Sequence, residues 1–326
     1  MQAKKKYRIQ WQRGIVVFAL TVGLLGCTQS SSDQTNPAGS TPKVVSTSTI
    51  IADWTEEIGG NEIEHTGILQ PGADPHVYEP TPKDTRTFEK ANLILYNGYN
   101  LEPGLIRLME SSGKKAKKVA VGEAVQPLQM NQEGRGRVPD PHVWGDVENA
   151  IAIVKRIRDE LIELSPEDKD TFTQNAAKLT AELKQLDQWI RQQIQTIPAN
   201  QRQLVTTHDA FQYYANAYGL KVAGTLIGIS TEEQPSAQTV KQLVEAIKST
   251  GTPAIFAETT INPTLIETVA KTAGVKLSSQ KLYSDSIGAP GSDGDSYSKM
   301  MVVNTTAITQ NLGGKVTPFQ PNTPAK

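Results

Sequence analysis

Short apolar, β-branched runs recur along the chain at 44–47, 63–69, 93–96 and 118–121, each followed or preceded by residues in a helical pattern. That alternation predicts an α/β lobe. Over 146–164, Val147, Ala150, Ile151, Val154, Ile157, Leu161 and Leu164 fall at helical spacing, giving an amphipathic helix that closes the first lobe. Ser165-Pro166-Glu167-Asp168 then offers an N-cap candidate, a proline at the first helical position and acids in the first turn. The helix expected there keeps Phe172, Leu179, Leu183, Leu186, Ile190 and Ile194 on one stripe until Ile197-Pro198, a length of about 45 Å at 1.5 Å per residue. So long a helix serves better as a rigid strut between two lobes than as a flexible hinge, with a coiled-coil arm as the alternative. Beyond Pro198 the alternation resumes: strands at 204–207, 222–226, 254–257 and 275–277, helices at 210–218, 237–249, 263–273 and 296–311. The second lobe repeats the first in pattern, without a residue-level repeat.

The two ends of this plan differ from its body. Lys4, Lys5, Lys6, Arg8 and Arg13 precede the uncharged apolar run 14–26, which is short for a permanent membrane span and closes on Leu24-Leu25-Gly26-Cys27. This reads as a secretory signal ending in a bacterial lipobox, with Cys27 diacylated; an uncleaved anchor is the alternative. Residues 28–42 are mainly Ser, Thr, Gln, Pro, Gly and Asn with almost no apolar content, a flexible tether. The expected division is therefore signal peptide 1–26, lipidated tether 27–42, first lobe 43–164, linking helix 165–197 and second lobe 198–326. The folded part is exported, to the periplasm or the cell surface, and held at the membrane by lipid.

At 326 residues and 37% hydrophobic there is material for two cores, and mixed charges near balance give no sign of nucleic-acid binding. Removing 1–26 takes five positive charges and no negative ones, moving the net charge from −1 to −6. The only cysteine goes to lipid, so any metal site must use nitrogen and oxygen.

Three of the four histidines stand at loop or strand ends: His76 in Gly72-Ala73-Asp74-Pro75-His76-Val77-Tyr78-Glu79-Pro80, His142 in Asp140-Pro141-His142-Val143-Trp144, and His208 in Thr207-His208-Asp209-Ala210-Phe211. In open α/β sheets ligands collect at the carboxyl ends of strands, so these positions share a crevice. His65, on an expected strand, is read as an ordinary structural residue. A fourth ligand should be an oxygen from the second lobe; Asp285, in Leu282-Tyr283-Ser284-Asp285-Ser286, is the best candidate, with Asp293 and Asp295 competing from a Gly-rich loop.

These motifs, together with Leu95-Tyr96-Asn97-Gly98, span the body of the chain and resemble the ABC-transporter solute-binding lipoproteins for manganese, zinc and iron. The resemblance implies two similar four-stranded α/β lobes bridged by a rigid helix. One divalent ion, Zn²⁺ or Mn²⁺ with Fe²⁺ also possible, would sit between them on His76, His142, His208 and Asp285. Glu258, ending the run 254–257, resembles a cleft carboxylate of the family that orients a ligand imidazole; a solvated strand end is its alternative. The implied partners are an ABC permease and its ATPase, with the chain a monomer. Without a His-Glu-x-x-His helix or an open coordination position, a zinc hydrolase is disfavoured, and a metal-stabilised adhesin is the other competing class. Manganese receptors of the family commonly carry a glutamate where His208 stands, whereas zinc receptors usually carry a His-rich loop before the second ligand, and 126–139 holds no histidine. Three imidazoles favour zinc, so both ions are expected to bind, zinc more tightly.

Overall fold

The computed structural model describes residues 41–132 and 136–321; the signal run and Cys27 lie outside them. In the first lobe, β1 (Lys43–Ser46) leads into α1 (Thr49–Gly59), whose N-terminus is capped by Ser48 accepting the Ile51 N–H. β2 (Glu64–Gly67), α2 (Pro82–Lys90), β3 (Leu93–Tyr96), α3 (Pro103–Ser112) and β4 (Lys117–Ala120) follow. The four strands form one parallel sheet in the order β2-β1-β3-β4, with Val44 opposite His65 and Leu93, and Leu95 opposite Val119. β1 and β3 are central and buried on both faces, which explains the consecutive apolar residues Val44-Val45 and Leu93-Ile94-Leu95.

An antiparallel hairpin, β5 (Gln129–Gln132) with β6 (Gly136–Pro139), comes next and was not legible in the sequence. Its residues show no apolar alternation, so backbone pairing rather than a buried face holds it. α4 (Val147–Leu164) matches the expected helix, capped by the Asp146 carboxylate accepting the Glu148 N–H. The strut is α5 (Lys169–Gln195); it starts slightly later than expected, because 166–168 form a 3₁₀ turn in which the Ser165 hydroxyl donates to Asp168. Its stripe Phe172, Leu179, Leu183, Leu186, Ile190 and Ile194 is fully buried.

The second lobe departs from the expected four-stranded sheet. β7 (Gln203–Thr206) pairs in parallel with β8 (Lys221–Thr225) across a bulge, after α6 (Gln212–Tyr218). Following α7 (Ala237–Thr250), β9 (Ala254–Ile255) pairs with β10 (Lys276–Leu277), which follows α8 (Thr264–Ala273). These are two two-stranded sheets. β9 and β10 are only two residues each, and the Phe256 N–H to Val205 O bond at 3.0 Å joins the pairs, with the Thr252 hydroxyl just before β9 donating to Gln203 O at 3.1 Å. The last helix, α9 (Tyr297–Asn311), turns back onto α5 and α1, where Tyr297 meets Trp54 edge-on at 4.9 Å. One apolar cluster therefore runs from α1 and α4 through α5 to α6 and α9.

Candidate metal centre

Each site residue sits on backbone fixed by local chemistry. Gly72, at φ 83°, turns the chain into Asp74-Pro75-His76, where Asp74 Oδ1 accepts the His76 N–H at 2.9 Å. Asp140-Pro141-His142 repeats the device, with Asp140 Oδ1 accepting the His142 N–H at 3.0 Å and also meeting His142 Nδ1 at 2.7 Å. His208 follows β7; its N–H donates to Glu258 Oε1 at 2.8 Å and its Nδ1 faces Glu258 Oε2. In both cases the Nδ1 side is engaged by a buried carboxylate, which leaves Nε2 turned inward. Asp285 lies between Ser284, whose carbonyl accepts the Trp144 indole N–H at 2.9 Å, and Ser286, whose hydroxyl accepts the Gly72 N–H at 2.8 Å. Both bonds cross between the lobes.

The four side chains converge. One ligating atom from each of His76, His142, His208 and Asp285 lies within 4.8 Å of the others. His76 Nε2 is 3.2 Å from His142 Nε2, His142 Nε2 is 3.4 Å from Asp285 Oδ1, and His208 Nε2 is 3.3 Å from Asp285 Oδ2. His142 and His208 are wholly buried, Asp285 1% exposed and His76 5%. Neither Asp285 oxygen nor His208 Nε2 makes a hydrogen bond. Buried polar atoms left this way are costly unless a further group satisfies them, and a cation at their centre does so. Burial pushes His76 down to about 3, with the Asp285 charge opposing, so its imidazole is neutral at physiological pH. Burial alone would raise Asp285, but His208 beside it holds the carboxyl below the usual range. Burial likewise opposes the charged form of His208, and the Glu258 and Asp285 carboxylates outweigh it, lifting the imidazole well above its ordinary value. Metal is ligated by neutral imidazole and ionised carboxylate, so His76 and Asp285 already stand in the ligating form, whereas His208 gives up its proton to a bound cation.

Residues 44–311 match the sequence profile of the family described as zinc-uptake complex component A, periplasmic. The chain belongs to this family. The metal ABC transporter substrate-binding lipoprotein FimA of Streptococcus parasanguinis is 37% identical over 300 residues, covering 90% of this chain and 96% of its own length. The manganese ABC transporter substrate-binding lipoprotein PsaA of Streptococcus pneumoniae is 35% identical with the same coverage. Among solved structures, the periplasmic zinc-binding protein TroA of Treponema pallidum superposes with a TM-score of 0.79 at 33% identity, over 84% of this chain and 99% of its own. Fe(III)-bound YtgA of Chlamydia trachomatis gives 0.76 at 28% identity, over 85% and 100%. Members of the family are solute-binding transport proteins rather than enzymes.

Within that family frame, the competing carboxylates are elsewhere. Asp293 is exposed, and Asp295 accepts the Gly291 N–H at 2.8 Å and pairs with Lys299 at 2.6 Å. His65 meets Glu56 at 3.0 Å and Ser46 Oγ at 2.9 Å, outside the cluster. Glu258 is wholly buried behind His208, not a solvated strand end. Sequence reasoning missed Asp140, which stands to His142 as Glu258 stands to His208. The repeated Asp-Pro-His spacing was the available signal.

Proposed function

We infer that the protein is a lipid-anchored receptor outside the cytoplasmic membrane that captures one divalent transition-metal ion and passes it to an ABC permease and its ATPase. The observation that carries this reading is the buried meeting of three imidazoles and Asp285, with His208 Nε2 and both Asp285 oxygens left without a hydrogen bond at the centre. His76, His142, His208 and Asp285 are the ligands. Asp140 and Glu258 hold the imidazoles of His142 and His208 from behind. Four protein ligands close a tetrahedral shell, which suits capture and leaves no position for turnover.

Three nitrogens and one oxygen favour zinc over manganese, and imidazole ligation with the general affinity order gives the same direction. The names of the relatives span manganese, zinc and iron, which fits a site that accepts more than one ion. Residues 1–26 are the signal peptide, Cys27 carries the lipid, 27–42 are the tether, and 165–197 join lobes 43–164 and 198–326. We read the two strand pairs of the second lobe as one four-stranded counterpart of the first sheet, on the strength of the Phe256 to Val205 bond.

Isothermal titration of the mature, metal-stripped protein tests the reading. One zinc per chain is expected, with sharply weaker binding in His76→Ala, His142→Ala, His208→Ala and Asp285→Ala, and normal binding in His65→Ala. Full affinity in any of the first four removes that residue from the site. Competition in which manganese displaces equimolar zinc would overturn the metal order. Cys27→Ser should release the protein from membranes, and native protein with an unmodified Cys27 would refute the anchor.

A further inference from the structure

Of the four converging side chains, only His76 lines the cleft cavity, a space of about 940 Å³ that also borders Tyr78, Glu123, Ile229, Ser230 and Glu232. The ion's path to solvent therefore runs past His76. Over that side lies the segment 226–233, which bridges the surroundings of two ligands from different lobes. At its base the N–H groups of Leu226 and Ile227 donate to Thr207 O at 3.0 and 2.9 Å, and Gly228 O accepts the Asp209 N–H at 3.1 Å, so it is tied on both sides of His208. At its tip the Thr231 hydroxyl donates to Asp74 Oδ2 at 2.6 Å. The other oxygen of that carboxylate accepts the His76 N–H. One carboxylate thus fastens the tip of the segment and sets the backbone of the ligand beneath it.

We propose that the Thr231 to Asp74 hydrogen bond is a latch on the metal's exit, and that its opening sets the rate at which the ion enters and leaves. The proposal rests on the reading that the four residues hold the ion. Parting the lobes would break the bonds from Trp144 to Ser284, from Tyr297 to Trp144 and from Gly72 to Ser286, and would split a shared core. Lifting the tip of 226–233 breaks the Thr231 to Asp74 bond and leaves those bonds and that core in place. Thr231 is half-buried and touches none of the ligating atoms, so it is a positioning residue rather than a ligand.

The latch contains none of the ligating atoms, so weakening it favours the open tip in loaded and unloaded protein alike. Association and dissociation should accelerate together while the equilibrium constant holds, a signature that a contact supporting ligand geometry would not give. The test is stopped-flow transfer of Zn²⁺ to and from the full mature chain with excess chelator. Thr231→Val is expected to speed both directions about 10-fold, the factor equivalent to about 1.4 kcal/mol, with Kd within about 2-fold of wild type. Thr231→Ser, which keeps the hydroxyl, should restore wild-type rates. Unchanged rates in T231V, a weaker Kd with an unchanged association rate, or a T231S as fast as T231V would each overturn the latch while leaving the metal reading intact. A wild-type chain that binds no zinc would remove both.

Discussion

At the scale of single residues, the ligands were legible because their chemistry is rare in this chain: three histidines at loop ends and an aspartate after a short strand. The residues that aim them were harder to find. Glu258 needed the family resemblance, and Asp140 was passed over, because a carboxylate two positions before a histidine is common and only the folded turn shows it reaching Nδ1 at 2.7 Å. Removing either orienting carboxylate should act on affinity through the imidazole it holds. Asp140→Asn and Glu258→Gln are each expected to weaken zinc binding about 10- to 100-fold in titration, without loss of stoichiometry. A separate prediction concerns Glu102, which is wholly buried and far from solvent help. Burial pushes its carboxyl up to about 7, against the Asn97 N–H and Thr47 hydroxyl that favour the charged form, and Oε2 has no partner. The folded state binds this proton more tightly than the unfolded chain, so the associated stability is complete below the ordinary value of 4.5 and lost as pH rises through about 7. Urea unfolding of the metal-free protein should find Glu102→Gln more stable than wild type at pH 8 by on the order of 2 kcal/mol, and close to equal at pH 4.5.

At the scale of elements, periodicity found the long helices nearly to the residue, because α4, α5, α7 and α9 each bury a continuous stripe or are capped by a recognisable serine or aspartate. It failed where backbone pairing outweighs side-chain burial. The β5–β6 hairpin carries Gln, Asn and Arg at paired positions, whereas β9 and β10 fall within the expected strands 254–257 and 275–277 and are only shorter than expected. Its anchoring is also non-local: the Leu128 N–H donates to the Tyr213 hydroxyl, which in turn donates to Asp140 O. α5 invites a direct test, since its stripe packs against both α4 and α9. Leu186→Ala should destabilise the protein by about 2–5 kcal/mol, measured by chemical unfolding, while zinc affinity stays near wild type. The same rigidity predicts a small change in inter-lobe distance on loading, which paired spin labels on exposed residues of the two lobes would report; a wide closure would refute the strut.

At the scale of the whole molecule, the division into two lobes is one of chain order more than of stability. The main apolar cluster passes through α5 and takes in α1, α4, α6 and α9, so the lobes share their largest core, beside a smaller one of each lobe's own around Phe88 and Ile94 in the first and Leu243 and Ile255 in the second. Calorimetry of the metal-free mature chain should therefore show one cooperative transition, and zinc at 1,000 times Kd should add about 4 kcal/mol to the unfolding free energy. The positions of the ligands give that added stability a particular form. His76, His142, His208 and Asp285 divide the sequence between them into spans of 66, 66 and 77 residues. An ion held by all four gathers those spans into three closed loops at a single point, as a reversible cross-link would, and takes from the unfolded chain the freedom that open loops would have. Pulled by its two ends, the loaded molecule should pay out chain only as far as His76 on one side and Asp285 on the other, and the segment 76–285 should come free in a single step when the ion lets go.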